Sequence, residues 1–145
     1  MKKGFTLIET IIYIALMALL IGGGVVTAFY IIDSAQKNKS DVNIQAEGSF
    51  ILRKIEWAVT GASDLSIPSA TELLVTKPSG NFDFKLNNSN PSDIYIELNG
   101  SRLSSSRVTI AGGTIFAPTT GLPKGVMVNF TVNNKPFTLT KYLRK

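Results

Sequence analysis

MKKGFTLIETIIYIALMALLIGGGVVTAFYII, residues 1–32, is a short basic head followed by an apolar run in which Glu9 is the last charge before Asp33. From Thr10 to Ile32 no side chain is charged. As an α-helix at the usual rise this stretch is about 35 Å long, enough to cross a hydrocarbon core of about 30 Å. Lys2 and Lys3 precede it, and Asp33, Gln36, Lys37 and Asn38 follow, so the positive-inside tendency directs the N-terminus to the cytoplasm and the rest of the chain to the exterior. An ordinary secretory signal has a shorter apolar core and a small-residue cleavage site after it. No such site follows Ile32; instead Gly4 stands before the apolar run.

The remaining chain is a different material. Of 145 residues, about 110 are left for one small water-facing domain, and a second is not expected. The net charge is +5, of which Lys2 and Lys3 supply two units. The other basic residues, among them Lys37, Lys39, Lys54, Lys77, Lys85, Arg102, Arg107 and Lys124, are scattered along the chain. Nucleic-acid-binding domains gather theirs on a stripe or helix, so a solvated surface of mixed charge is the expectation here. There is no cysteine and no histidine. That excludes disulfides, thiol nucleophiles and thiolate metal sites, and removes the commonest general base. No cofactor is expected.

Asp33 to Ser40 contains no large apolar residue. Beyond it Ile44, Gly48, Ile51, Ile55, Ala58 and Ala62 recur every three or four positions, one apolar stripe of an amphipathic helix that Gly61 is placed to stop. Phe50 and Trp57 lie off the stripe, seven apart, and are expected in the core or at a subunit contact. From Leu65 the period becomes two. Leu73-Leu74-Val75 reads as a strand, as do the alternating sets Phe82, Phe84, Leu86 and Ile94, Ile96, Leu98. Asn99-Gly100 then predicts a hairpin pairing 93–98 with roughly 101–104. Val108-Thr109-Ile110 and Thr114-Ile115-Phe116 are further strand candidates. Val126 to Val132 and Phe137 to Leu139 flank Asn133-Asn134 as a second hairpin. A helix followed by a run of strands predicts an α+β fold, with a long N-terminal helix laid on an antiparallel sheet.

The junction Gly4-Phe5-Thr6-Leu7-Ile8-Glu9, with its basic leader and spanning helix, resembles the type IV prepilin family. The resemblance is carried by residues 1 to about 30. It implies a leader at 1–4 removed by a prepilin peptidase between Gly4 and Phe5, N-methylation of Phe5, an assembly helix over 5–32 and an exterior pilin-like domain over 33–145. It also implies partners: other pilin or pseudopilin subunits, an inner-membrane assembly platform and the lipid bilayer. An ionised carboxylate within a membrane helix costs about 2.5–3.5 kcal/mol, so Glu9 needs a partner. After cleavage the Phe5 amine lies one turn away. The same amine on a neighbouring subunit serves equally, and in the family such a pairing sets register during assembly. The bland alternative is a carboxylate favoured by its place in the first helical turn. Many pilins carry a proline where Val26 stands; here Gly22-Gly23-Gly24 offers a soft point in the helix, or else a close-packing site for a second helix.

Residues 51–132 are similar in progression to minor pseudopilins of the J class and related minor pilins, notably Arg53-Lys54-Ile55-Glu56-Trp57-Ala58 and the run from Ile94 to Leu103. That likeness implies a scarce subunit near a filament tip that helps start assembly, in a type IV pilus or a type II secretion filament. Residues 112–145 hold no Asp or Glu, so the calcium loop of some major pseudopilins is not expected there. Two rivals remain. A competence-filament minor pilin would bind DNA through Lys135, Lys141, Arg144 and Lys145, against the plainer reading of a solvated tail. A signal-anchored enzyme would need a site such as Ser104-Ser105-Ser106 near Arg107, although polar runs between strands are ordinarily loops. The chain is therefore read as a structural subunit and not as an enzyme.

Overall fold

The computed structural model describes residues 6–143. The chain divides into two units, one ending at Asp41 and the other beginning at Val42, and a single helix, α1 (Leu7–Val59), contributes to both.

In the first unit the helix runs without a break, Gly22 to Gly24 included. The Thr27 hydroxyl donates to the Gly23 carbonyl at 2.8 Å. Within the polar stretch Lys37 pairs with Asp33 at 2.8 Å, an i,i+4 contact that adds a few tenths of a kcal/mol to helix formation, about 0.2–0.5. Every side chain from Thr10 to Asp41 is exposed. By length and composition the helix can cross a membrane.

In the second unit the helix buries Ile44, Gly48, Ile51, Ile55 and Ala58, with Val59 and Ala62 at its end, which is the stripe its periodicity predicts. Its terminus is closed in three ways. Thr60 N–H donates to Glu56 O at 2.9 Å. Gly61 takes φ +73°, the left-handed conformation that ends helices and that side chains with a Cβ avoid. The Lys77 ammonium donates to the Trp57 carbonyl at 2.6 Å, placing a cation where the helix dipole and an otherwise unbonded carbonyl favour one.

The strands divide between two antiparallel sheets. The first is a meander in chain order: β1 (Asp64–Ser69), β2 (Glu72–Lys77), β3 (Gly80–Asn87), β4 (Tyr95–Leu98) and β5 (Ser101–Arg102). The second comprises β6 (Ile110–Ala111), β7 (Phe116–Pro118), β8 (Gly125–Val132) and β9 (Lys135–Tyr142). Strand β8 is its axis. It pairs with β9 along its whole length, with β7 through Val126–Val128 and with β6 through Thr131–Val132. Both predicted hairpins form. Asn99 and Gly100 have φ 50° and 78°, and Asn133 and Asn134 have φ 45° and 70°, so each turn has the two positive angles that match the twist of a tight hairpin.

The inner faces of the two sheets and the helix stripe make one core. Leu65, Leu73, Val75, Phe84 and Ile96 come from the first sheet, and Ile110, Phe116, Val126, Val128, Phe130 and Val132 from the second. Gly48 has a specific reason to be small. A Cβ there would overlap the Phe137 ring, which stacks on Phe130 with centroids 5.8 Å apart. A glycine inside a helix costs about 1 kcal/mol relative to alanine, and here it admits an aromatic ring against the helix backbone.

Four expectations are corrected. The 99–100 hairpin pairs only Glu97 and Leu98 with Arg102 and Ser101, shorter than 93–98 with 101–104. Val108 and Thr109 are not in a ladder, because Thr109 N–H donates to the Asn133 side chain at 2.9 Å and Asn133 N–H donates to Thr109 O at 3.1 Å. Ile115 and Phe116 both send their N–H groups to Ala70 O, so β7 starts at Phe116 and not at Thr114. Of the two places expected for Phe50 and Trp57, the core and a subunit contact, the core is excluded: they are 38% and 53% exposed.

Candidate functional site

The first described turn of α1 is built around Thr6. Its carbonyl accepts from Glu9 N–H at 3.1 Å and from Thr10 N–H at 3.2 Å, and the Thr10 hydroxyl adds a third donor at 3.3 Å. In return the Thr6 N–H and hydroxyl both point at Glu9 Oε2, each at 3.5 Å. Thr6-x-x-Glu9 therefore has the arrangement of a capping box, in which the third helical residue reaches back to the residue that starts the helix. Strong bonds to a carboxylate are about 2.7–2.9 Å long. At 3.5 Å these two are weak, and Glu9 keeps most of its acceptor capacity for another donor. Gly4 and Phe5 lie outside the described residues, as does the whole of the expected leader.

Following that turn, the helix surface from Thr10 to Ile32 carries no charged side chain and is apolar on all sides. A Cβ at Gly22, Gly23 or Gly24 would meet nothing within 4 Å. These glycines are not made necessary by any neighbour within this chain.

In the second unit the polar clusters have structural explanations. Arg102 forks onto both oxygens of Asp93 at 2.7 and 2.8 Å, donates to the Ser104 and Ser105 carbonyls at 2.7 and 2.9 Å, and covers the Tyr95 ring at 4.2 Å. These bonds hold the Asp93 carboxyl below the usual carboxylate range and raise the Arg102 guanidinium. Ser105 N–H is taken up by Glu47 at 3.2 Å. The serine run is thus a loop pinned from both sides. Ser104 is buried, and its hydroxyl has no hydrogen-bond partner among the described residues; a nucleophile needs a base within reach, and none reaches this one. Of the basic residues near the C-terminus, Lys141 is paired with Glu56 at 2.8 Å, and Arg144 and Lys145 lie outside the described residues. Among the described residues no three carboxylates gather as a metal site would require.

Two recesses in this unit are lined by described residues. One, of about 860 Å³, is lined by Ala62, Ser63, Leu122, Pro123 and Leu143 and bridged by Lys124 and Asp64 at 2.7 Å. The Lys124 ammonium holds the Asp64 carboxyl below its ordinary range. The other, shallow and about 450 Å³, lies between Glu47, Phe50 and Arg53 on the helix and Leu103 to Ser105 on the loop. Sequence reasoning missed a third feature. Lys54, Lys77 and Phe82 gather around the exposed Trp57 ring. The spacing of Lys54 and Trp57 was available from the sequence; the arrival of Lys77 and Phe82 depends on how the β2–β3 hairpin meets the helix.

No curated protein and no solved structure matches the chain. Residues 1–25 match the family described as the prokaryotic N-terminal methylation motif. The match covers the basic head, the Gly4–Phe5 junction, Glu9 and the glycine run. Together with the exposed apolar helix that follows, which is long and apolar enough to cross a membrane, it supports a type IV prepilin-like protein.

Proposed function

We propose that this chain is a minor pilin or pseudopilin. A prepilin peptidase removes residues 1–4, the Phe5 amine is methylated, α1 holds the protein in the membrane through residues 5–32, and the exterior domain over 33–145 is carried into a type IV pilus or type II secretion filament. There it helps to start assembly or occupies the tip. Glu9 pairs with the Phe5 amine, its own or that of the adjoining subunit, and Gly22 to Gly24 give the helix a point at which to bend or stretch. The reading rests on one observation above the others: the methylation motif at residues 1–25 opens a helix whose apolar residues have no cover within the chain. A further fact supports it. The Glu9 carboxylate has only long, weak bonds within its own turn.

The test is the mass of the mature N-terminus after co-expression with a prepilin peptidase. Loss of Met1 to Gly4 with one methyl group on Phe5 is the expected result. An intact N-terminus, under conditions that process a control prepilin, would overturn the reading and leave a membrane-anchored exterior domain.

A further inference from the structure

We propose that the face formed by Phe50, Lys54, Trp57, Lys77 and Phe82 is a docking surface for an acidic segment of a different protein, one that carries Asp or Glu beside an apolar side chain. The surface lies wholly within the exterior unit and does not depend on how the N-terminus is processed.

Its construction follows from helical spacing and one hairpin. Phe50, Lys54 and Trp57 stand at i, i+4 and i+7 and so share a face of α1, beside the buried stripe. Strands β2 and β3 bring up Lys77 and Phe82. The Trp57 and Phe82 rings meet edge to face with centroids 5.0 Å apart and planes at 79°. Lys77 Nζ is 4.5 Å from the Trp57 centroid and 5.8 Å from that of Phe82. Lys54 Nζ is 5.6 Å from the Phe50 centroid and 5.8 Å from that of Trp57. The bond from Lys77 to the Trp57 carbonyl fixes that ammonium in place, so half of the charge of the surface is ordered before any partner arrives.

The chemistry selects the partner. A ring face attracts a cation without neutralising it, and among the described residues neither ammonium has a carboxylate in ion-pair range. Each ammonium has three donors, and Lys77 uses one of them in the bond to Trp57. Unpaired cations around large exposed aromatics fit carboxylates flanked by an apolar group. Trp is the residue type on which interface energy concentrates, within a rim of charge. A second copy of this chain is a poor match, since the net charge is +5. A nucleic acid is a poor match as well. Tight phosphate binding uses a row of cations along the backbone, and here two ammoniums are gathered over rings.

Trp57 is the single tryptophan of the chain, so its fluorescence reports from the centre of this surface. The full chain in non-ionic detergent micelles is titrated with a synthetic peptide of sequence DELEFD, with its counterpart KKLKFK, with a single-stranded oligothymidylate, and by dilution of the protein alone. Saturable blue shift of the Trp57 emission by the acidic peptide alone is the expected result. The double variant Lys54→Glu, Lys77→Glu weakens it about tenfold. Lys77 also closes the helix, so Lys54→Glu alone serves as the variant whose fold is not at stake, and it weakens the peptide in the same direction. No shift with the acidic peptide, or an equal one with the basic peptide, overturns the proposal. So does a salt-sensitive response to the oligonucleotide that exceeds the response to the acidic peptide, which would assign the surface to nucleic acid. A shift that depends on protein concentration alone would assign it to a second copy and likewise overturn the proposal.

Discussion

Helix α1 has one backbone and two surfaces. Between Thr10 and Ile32 it is apolar on every side and every side chain is exposed; between Ile44 and Ala58 it is apolar along one stripe and that stripe is buried. A helix apolar all round belongs in a core or a bilayer, whereas a striped one belongs on the outside of a soluble fold. The difference teaches where each half finds its cover. The striped half is covered by β-strands of its own chain, and its residues are specified by that packing down to the missing Cβ of Gly48. The uniform half is specified by length, by apolar character and by its first turn, and its side chains are exposed among the described residues.

The sharpest way to break this contrast is to truncate one large residue in each half. Phe137→Ala removes the ring that fills the space over Gly48 and is expected to cost about 3–5 kcal/mol of the second unit's stability. Leu19→Ala, at an exposed position of the uniformly apolar half, is expected to leave that stability within about 0.5 kcal/mol. Denaturant unfolding in micelles, followed by Trp57 fluorescence, measures both. Equal losses would mean that the two halves are not distinct environments.

Glu9 comes next. If its carboxylate serves a partner and not only its own turn, Glu9→Ala relieves an insertion cost of about 2.5–3.5 kcal/mol and leaves the protein inserted and processed, yet its incorporation into filaments is lost. Membrane fractionation, N-terminal mass and filament pull-down read the three steps separately. Normal incorporation of the variant would reduce Glu9 to a capping residue.

The glycines give a smaller and more discriminating test. Gly48→Ala forces Phe137 to move and is expected to cost about 1–3 kcal/mol. Gly23→Ala meets no neighbour and is expected to favour the helix by up to about 1 kcal/mol. Opposite signs from the same substitution would be the clearest mark of the difference between the halves. If Gly22 to Gly24 are a soft point, Gly23→Ala also impairs filament incorporation while leaving the second unit's unfolding unchanged.

The smallest effect is electrostatic and confined to the second unit. Arg102 lowers the Asp93 pKa below its unfolded value, so the pair contributes stability above the ordinary carboxylate pKa. The unfolded state takes up the proton first as the pH falls, and the contribution is gone once the pH has passed below the depressed folded value. Asp93→Asn is expected to flatten this part of the acid limb of unfolding and to change little near neutrality beyond loss of one partly exposed pair.

Much of this was legible because burial has a period. The stripe from Ile44 to Ala62, the alternation through β3, β4 and β8, and the two asparagine-containing turns all follow from side-chain spacing and backbone angles. The Thr6–Glu9 turn was visible as a carboxylate at the start of a helix. Less was legible where side chains replace the backbone as partners. Val108 and Thr109 have the composition of a strand, but the Asn133 amide takes the place of a neighbouring strand. The run from Leu103 to Arg107 is ordered by one guanidinium reaching across it. Ala70, between β1 and β2, receives the two N–H groups that fix the start of β7, and no local pattern announces a tie between sheets. Trp57 was legible only as one of two alternatives, core or subunit contact, because helical spacing does not say which face stays uncovered; the Lys77 and Phe82 that meet its ring lie twenty and more residues away.

The placement of β8 as the axis of the second sheet also governs when the core can be completed. Among the described residues β6 and β7 find their ladder partner in β8, and the ring that sits against Gly48 belongs to β9. The helix stripe and the locally paired first sheet come early in the chain and these strands come last. A chain released residue by residue can therefore begin its core on the first sheet, but closes it only when β9 has followed, and those late, long-range contacts set the rate.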